Sequence, residues 1–189
     1  TASTNFPVSA NAIKKNKDSS ASIDLRSGLN QQLIGGTDIY ITKFSAKGDT
    51  IVGSTYFGGS GDDGVNIDPN NRPVFNGNSA PPTNYHAGLS RNYGDHFRGE
   101  IVIDSSGFIY LGSCTGSSNV NGALNTISGS FDGLVAKFNA DLSNLEWCRY
   151  HGGSNLDAIY SLKVINGGQI LIGGGTNSSS GFPISTNAY

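Results

Sequence analysis

The sequence predicts an all-β protein made of short antiparallel strands. Three observations carry that expectation. Glycine is abundant, with 27 in 189 residues, about twice the usual share, and such a composition favours many tight turns over long helices. Short runs rich in β-branched and aromatic residues alternate with turn signals. The chain also repeats itself, and repeats of this length mark stacked supersecondary units.

The repeats fix the elements in order. "DIYITKF" (Asp38 to Phe44) faces "DGLVAKF" (Asp132 to Phe138). Continuing without a gap, "STYFGGSGDD" (Ser54 to Asp63) faces "CRYHGGSNLD" (Cys148 to Asp157). A second block matches Asp95 to Thr115 with Asp157 to Thr176, one residue shorter in the turn. A third occurs three times, as "TASTNFPVSANAI" from Thr1, "TGSSNVNGALNTI" from Thr115 and "TNSSSGFPISTNAY" from Thr176. The compact copy holds four strand-like runs, "LVAKF", "LEWCRYH", "YSLKVI" and "QILIGGG". They are separated by "NADLSN", "GGSNLD" and "NGG", where Asn-Gly and Gly-Gly tolerate the positive φ of tight hairpins. The longer copy gives "DIYITKF", "TIVGSTYF", "GEIVID" and "FIYLGSCT".

Four strands joined by short turns make an up-and-down meander. One such sheet cannot bury both faces alone, and a four-stranded repeat of this size predicts β-propeller blades. The expected units are residues 1–114, with a blade over 38–115 and insertions at about 14–35 and 64–94; residues 115–175, a compact blade; and residues 176–189, the start of a third unit. Propellers have at least four blades, so two are expected to be part of a larger protein. The absence of Met and of a charged-then-apolar leader points the same way. The repeated Gly-Gly-Ser corner reads as structure: the glycines turn the chain and the Asp beyond ties the turn to backbone amides.

The phrases "TASTNFPVSANAI", "GTDIYITKFSAKGDTIVGSTYFGGSGDD" and "IVIDSSGFIYLGSCTGS" resemble the bacterial β-propeller repeat often called the SBBP repeat. The likeness covers nearly all of the chain outside the two insertions. The second copy departs from it at His151, Asn155 and Leu156, where the family pattern has an apolar residue, Gly and Asp. The resemblance implies location more than activity: a large secreted or cell-surface protein, in the Bacteroidetes often a type IX secretion substrate or a gliding-associated adhesin. No catalytic set belongs to the pattern, so none is expected here.

The copies differ in length, with steps of 114 residues from Thr1 to Thr115 and 61 from Thr115 to Thr176. Most of the excess is two insertions, one before the first strand and one between the second and third. In an up-and-down meander both lie on the same face, and insertions gathered on one face often mark a binding face. The larger, Gly64 to Gly94, lacks any strand or helix period and carries Arg72, Phe75, Tyr85, His86, Arg91 and Tyr93. These residue types carry interface energy, and Tyr rings stack on sugars; the alternative is that they pack the loop onto its own blade. The smaller, "KKNKDSSASIDLRSGLNQQLIG", reads as polar and mobile, its lysines as a solvated surface.

Other chemistry is weakly signalled. Asn66, Asp68 and Asn70 have the 1, 3, 5 spacing of a calcium loop, but Asn71 stands where that loop needs Gly and Gly77 where it needs Glu. An Asx-turn run is the simpler reading, and no cofactor is expected beyond that calcium candidate. "GSCTG" around Cys114 mimics a nucleophile elbow, yet that motif needs a strand-to-helix turn. His86, His96 and His151 lack ligand spacing, and His151 reads as half-buried filler. Trp147 is expected between blades. Cys114 and Cys148 read either as a pair or as two small buried residues. A net charge of −2 argues against a nucleic-acid partner, and no apolar run is long enough for a membrane span.

Two functions compete. The first is a non-enzymatic surface module for adhesion, assembly or protein interaction, extracellular, whose partners are other blades of its chain, surface or secretion-machinery proteins, or glycans. The second is a glycan-binding or glycan-degrading propeller domain with Asp62, Asp63, Tyr85 and Arg91 near a pocket.

Overall fold

A computed structural model describes residues 1–20, 23–24, 32–66 and 97–188. Its strands, in chain order, are β1 (Ile23–Asp24), β2 (Gln32–Leu33), β3 (Ile39–Phe44), β4 (Ile51–Phe57), β5 (Glu100–Ile103), β6 (Ile109–Thr115), β7 (Asp132–Phe138), β8 (Leu145–His151), β9 (Asp157–Val164) and β10 (Ile170–Thr176). The protein is all-β, the pairings between the named strands are antiparallel, and there is a three-residue 3₁₀ turn at Asn166–Gly168.

Every strand expected from the repeats forms, and the hairpins β3-β4, β5-β6, β7-β8 and β9-β10 close, but the expected β4-β5 and β8-β9 pairings do not. The grouping differs. The four-stranded sheet is β5-β6-β7-β8, made of the last two strands of the first copy and the first two of the second. β3-β4 and β9-β10 are separate two-stranded sheets. The expected meanders, β3 to β6 and β7 to β10, are therefore out of phase with the sheets by two strands. The physical reason lies at the corner: after β4 and after β8 the Gly-Gly turn carries the chain off its sheet, whereas the polar connector after β6 returns it beside β6. There Thr115 pairs with Asp132 and Ile109 with Phe138.

Three layers result, each positioned by side-chain alternation along the strands. One face of the central sheet presents Ile109, Leu111, Leu134, Ala136, Phe138, Cys148 and Tyr150 to Ile39, Ile41 and Phe57 of β3-β4. The other presents Tyr110 and Val135 to Ile159 and Leu162 of β9, with Trp147 packed alongside. Trp147 thus lies between sheets, as expected. Middle strands β6 and β7 are buried along almost their whole length, which is why their sequences are near-continuous apolar or small-residue runs. Each fully buried Leu or Phe, such as Leu134 and Phe138, contributes about 1.5–3 kcal/mol.

Two features tighten the β3-β4 layer. Phe57 and Phe138 meet edge to face, centroids 4.9 Å apart. Gly53 stands where the second copy has Trp147, and a side chain there would strike the Asp141 carbonyl at the tip of the β7-β8 turn. That turn places Leu142 at φ 60°, and Leu142 is completely buried in the same core. Its burial offsets the strain of a left-handed non-glycine residue.

Candidate functional site at the corner end of the sheets

Because strands alternate in direction, one end of the layers gathers the start of β3, the end of β4, the start of β7, the end of β8 and the start of β9. Both Gly-Gly corners lie there. The described ends of both insertions are there too, at residues 14–20 and 33–35 before β3 and at residues 64–66 after β4, beside the paired strand ends Ile39 and Phe57.

The corners are built alike. Asp63 accepts hydrogen bonds at Oδ2 from the Gly59 amide (2.9 Å) and Ser117 Oγ (2.9 Å), and at Oδ1 from Thr115 Oγ1. Asp157 accepts at Oδ2 from the Gly153 amide (2.7 Å) and Ser178 Oγ (2.8 Å). Thr115 and Thr176 each accept from the amide two residues on, at 2.9 and 3.0 Å. The glycines are required by contact: a Cβ on Gly59 would lie 2.7 Å from Ser117 Cβ, one on Gly153 2.7 Å from Ser178 Cβ, and one on Gly152 2.6 Å from Asp132 Cγ. Gly58 is also held at φ 145°. The repeated phrase is thus a lock between one strand end and the next connector.

The surroundings of the locks differ. Beside the first, Asp38 is fully buried, and its Oδ2 accepts from Lys14 Nζ at 2.7 Å. Lys14 also reaches Asp18 Oδ2 (2.9 Å) and the Gly58 carbonyl (3.2 Å). Two of the insertion's three lysines therefore depart from the expected solvated surface, while Lys15 is exposed as expected: Lys14 is an internal counter-ion, and Lys17 Nζ donates to the carbonyls of Asp18 and Gly35. A polar run was read as exposed because nothing local in the sequence shows the buried carboxylate 24 residues away. The usable signal was alignment: Lys14 falls 114 residues before Ser128, whose amide, with that of Gly129, caps Asp132 in the second copy.

The next difference is Asp62 against Leu156. Asp62 Oδ1 accepts from the Thr37 amide (3.1 Å) and from Ser20 Oγ (2.5 Å), tying the insertion to the corner. Leu156 instead packs with Phe131, Cys114 and Ala158. A polar tether in one copy is an apolar plug in the other.

Burial dominates the titration of these groups. It pushes Asp63 up to about 6 despite the hydrogen bonds from Thr115, Gly59 and Ser117. It raises Asp38 more than the Lys14 pairing lowers it. Burial acts to lower Lys14, but the hydrogen bonds to Asp38 and Asp18 outweigh it, and the net shift is upward. His151 goes down, because its burial outweighs the pull of Asp157 and Asp132.

A cleft of 480 Å³ opens next to the first corner. Asp38 and Asp63 sit at its end, Ile39, Tyr40 and Ile41 on one wall, Ile101 and Leu111 on the other. A smaller one of 180 Å³ lies at the second corner, along β10, between His151 and Phe182, whose rings meet at 5.1 Å. His151 is half-buried there, in keeping with its reading as filler.

Among the candidates named from sequence, Arg72, Phe75, Tyr85, His86, Arg91 and Tyr93 lie outside the described residues, as do His96, Asp68 and Asn70. Asn66 is buried, and its Nδ2 donates to Tyr160 Oη at 3.1 Å. Among the described residues, no three His, Cys, Asp or Glu side chains are gathered as a metal would need. Cys114 and Cys148 are free and buried, in different cores on opposite faces of the central sheet. Burial raises both thiols, Cys148 to about 11, which removes the thiolate a nucleophile needs. Cys114 lies in β6 with no helix following, so no nucleophile elbow forms. No helix among the described residues is long and apolar enough to cross a membrane.

No protein-family model matches the chain, and no curated protein is significantly similar to it.

Proposed function

We propose that this chain is a non-enzymatic β-propeller module of a large secreted or cell-surface bacterial protein. Its sheets are consecutive blades, and its role is adhesion, surface assembly or protein interaction through the loops at the corner end. The observation that carries the reading is the pair of like-built corners, Gly59–Asp63–Thr115–Ser117 and Gly153–Asp157–Thr176–Ser178. They pass the chain from layer to layer at a constant end while the two insertions leave from that same end. Residues that repeat are spent on architecture; residues that do not repeat are gathered where a partner would meet them. The resemblance to the SBBP repeat supports an extracellular setting, and type IX secretion or gliding-associated adhesion as its context.

The glycan-degrading alternative is less well supported. Of its two acids, Asp63 has both oxygens committed to the lock, and Asp62 Oδ1 tethers the insertion. Neither is poised as a general acid facing substrate.

The test replaces residues 67–96 by a short Gly-Ser linker and compares binding to intact bacterial cells and to a polysaccharide array. Unchanged β-sheet circular dichroism with loss of binding is the expected result. Binding unchanged by the deletion, or release of reducing sugar from any polysaccharide by the wild-type chain, would overturn the proposal.

A further inference from the structure

β5 is the second half of a strand whose first half precedes the larger insertion. Asp63 bridges Thr115 antiparallel, and the Gly64 amide donates to the Cys114 carbonyl at 2.9 Å. The ladder on β6 resumes at Gly112, opposite Glu100. β9 is the repeat equivalent of β5 and runs the same course without a break. Asp157 faces Thr176, Ala158 faces Gly175, Ile159 faces Gly174 and Ser161 faces Gly173, which leaves Tyr160 as a bulge. Where β9 has Tyr160, the first copy has residues 66–99. The hairpin turns that follow, 104–108 and 165–169, are equal in length, so the residue that the repeat alignment placed in the turn belongs at the bulge. A bulged residue is left out of the ladder, so the chain can be lengthened there without losing sheet pairing. The entropy of closing a loop also grows only slowly with its length.

Both described ends of the insertion meet at that bulge in the next layer. Asn66, which stands at the repeat position of Tyr160, is buried and donates from Nδ2 to Tyr160 Oη at 3.1 Å. On the returning side, the Arg98 guanidinium lies 5.7 Å from the centre of the Tyr160 ring, within cation–π range. Two residues on, Glu100 Oε2 accepts from the Leu162 amide of β9 at 3.1 Å. The outgoing end therefore takes the hydroxyl of Tyr160, and the returning end takes its ring and the backbone beyond it. Bulges re-aim a side chain out of the regular pleat. The architecture by itself does not call for a tyrosine at this place, because the other copy has Asn66 there.

We propose that Tyr160 is a positioning residue for partner binding. With Asn66 and Arg98 it clamps both ends of the larger insertion to β9, and so fixes where the insertion leaves and rejoins the sheets. One side chain serves both ends, so it holds them to each other as well as to the neighbouring layer. Glu100 extends the hold along β9 by satisfying the Leu162 amide. The consequence for binding rests on the proposed surface role; the clamp itself does not.

The test uses the whole 189-residue chain and two readouts, amide hydrogen exchange and binding to intact bacterial cells. Tyr160→Ala should speed exchange at residues 64–66 and 98–100 by about tenfold while leaving β7 unchanged. It should weaken cell binding by about tenfold as well. Tyr160→Phe keeps the ring under Arg98 and should do less to both readouts. Combined with Asn66→Ala, it should do no more than either change alone, because each removes the same hydrogen bond. Unchanged exchange at both ends of the insertion, exchange that rises equally in β7, additive effects of the two single changes, or full binding with the ends released would each overturn the inference. Ends released by Tyr160→Ala in a chain whose wild type binds no cells would support the clamp and fail the surface role alone.

Discussion

The two corners are the same lock in different electrostatic settings. Around Asp63 the fold has brought in a lysine, Lys14, and a hydroxyl, Ser20, both from the connector before β3. Around Asp157 it has Leu156 and Phe131 in an apolar cluster, with half-buried His151 nearby. The shared parts, two glycines, an aspartate and a Thr-x-Ser, hold the layers in place. The exchanged parts decide whether the corner carries an insertion. A polar corner can hold a polar loop because its buried carboxylates, Asp38 and Asp62, offer acceptors that the loop satisfies. An apolar corner needs no such loop.

The largest expected effect comes from removing the counter-ion. Lys14→Met leaves Asp38 buried without its cation and should cost about 3 kcal/mol, as breaking one side of a buried pair does. The same change at the equivalent Ser128, whose contribution is a backbone amide, should stay within about 0.5 kcal/mol. Urea unfolding of both variants reads the contrast, and equal losses would break the comparison.

The corners should also respond to pH with opposite signs. The Asp63 carboxyl titrates at about 6 in the fold against 3.8 unfolded. The folded state therefore holds a proton that the unfolded state has lost, and stability falls as pH rises from about 4 through about 6. At 1.36 kcal/mol per unit, up to about 3 kcal/mol is at stake. His151 lies below its ordinary value of 6.5, so the unfolded chain binds its proton first. Its contribution is present above 6.5 and is lost as pH falls. Asp63→Asn should flatten the falling limb, and His151→Phe, which installs the residue of the other copy, should flatten the rising one. Urea midpoints between pH 4 and 8 that leave both limbs in place would show that other groups set the pH dependence.

How much of this was legible depended on whether the cause was local. Strand runs, hairpin turns and the corner's Gly-Gly-x-x-x-Asp grammar are local, and the strands and turns stand where the sequence put them. The phase of the sheets was not local. "YLGSCT" pairs with "DGLVAKF" across a 16-residue connector, Gly116 to Phe131, and no pattern inside either strand says which neighbour wins. Repeats define a period but not where one sheet ends, so the same period fits two strand groupings. Lys14 was misread for the same reason: its partner is 24 residues away, and a run of lysines looks solvated until its acceptor is known.

A smaller contrast concerns the threonines. Thr115 Oγ1 donates to Asp63 and accepts from the Ser117 amide, while Thr176 Oγ1 accepts from the Ser178 amide at an exposed position. Thr115→Val strips a buried carboxylate of a donor and should cost about 2 kcal/mol; Thr176→Val should cost about 0.5 kcal/mol. A melt in which both variants shift alike would mean that burial does not separate the two locks.

The smallest expected effect is in the tyrosines that pin the connectors. Tyr56 Oη accepts from the Phe6 amide at 2.9 Å and donates to the Ser3 carbonyl at 2.8 Å. Tyr150 Oη accepts from the Val120 amide at 3.0 Å, and its connector has a second hold. Asn125 bridges the Tyr150 backbone, Nδ2 to the carbonyl at 3.0 Å and Oδ1 from the amide at 2.9 Å. Removing the first hydroxyl therefore takes two hydrogen bonds from the Ser3–Phe6 stretch, which Ser54 still ties further on at Pro7 and Ser9, while removing the second takes one and leaves its connector tied by Asn125. Tyr56→Phe should cost about 1.5 kcal/mol and Tyr150→Phe about 0.5 kcal/mol, with the difference abolished in an Asn125→Ala background. Hydrogen exchange at Phe6 and Val120 reads the effect directly: faster exchange at Phe6 in Tyr56→Phe, and near-native protection around Val120 in Tyr150→Phe until Asn125 is also removed. If Tyr150→Phe alone frees its connector, Asn125 is not the second hold and the two connectors are pinned in the same way.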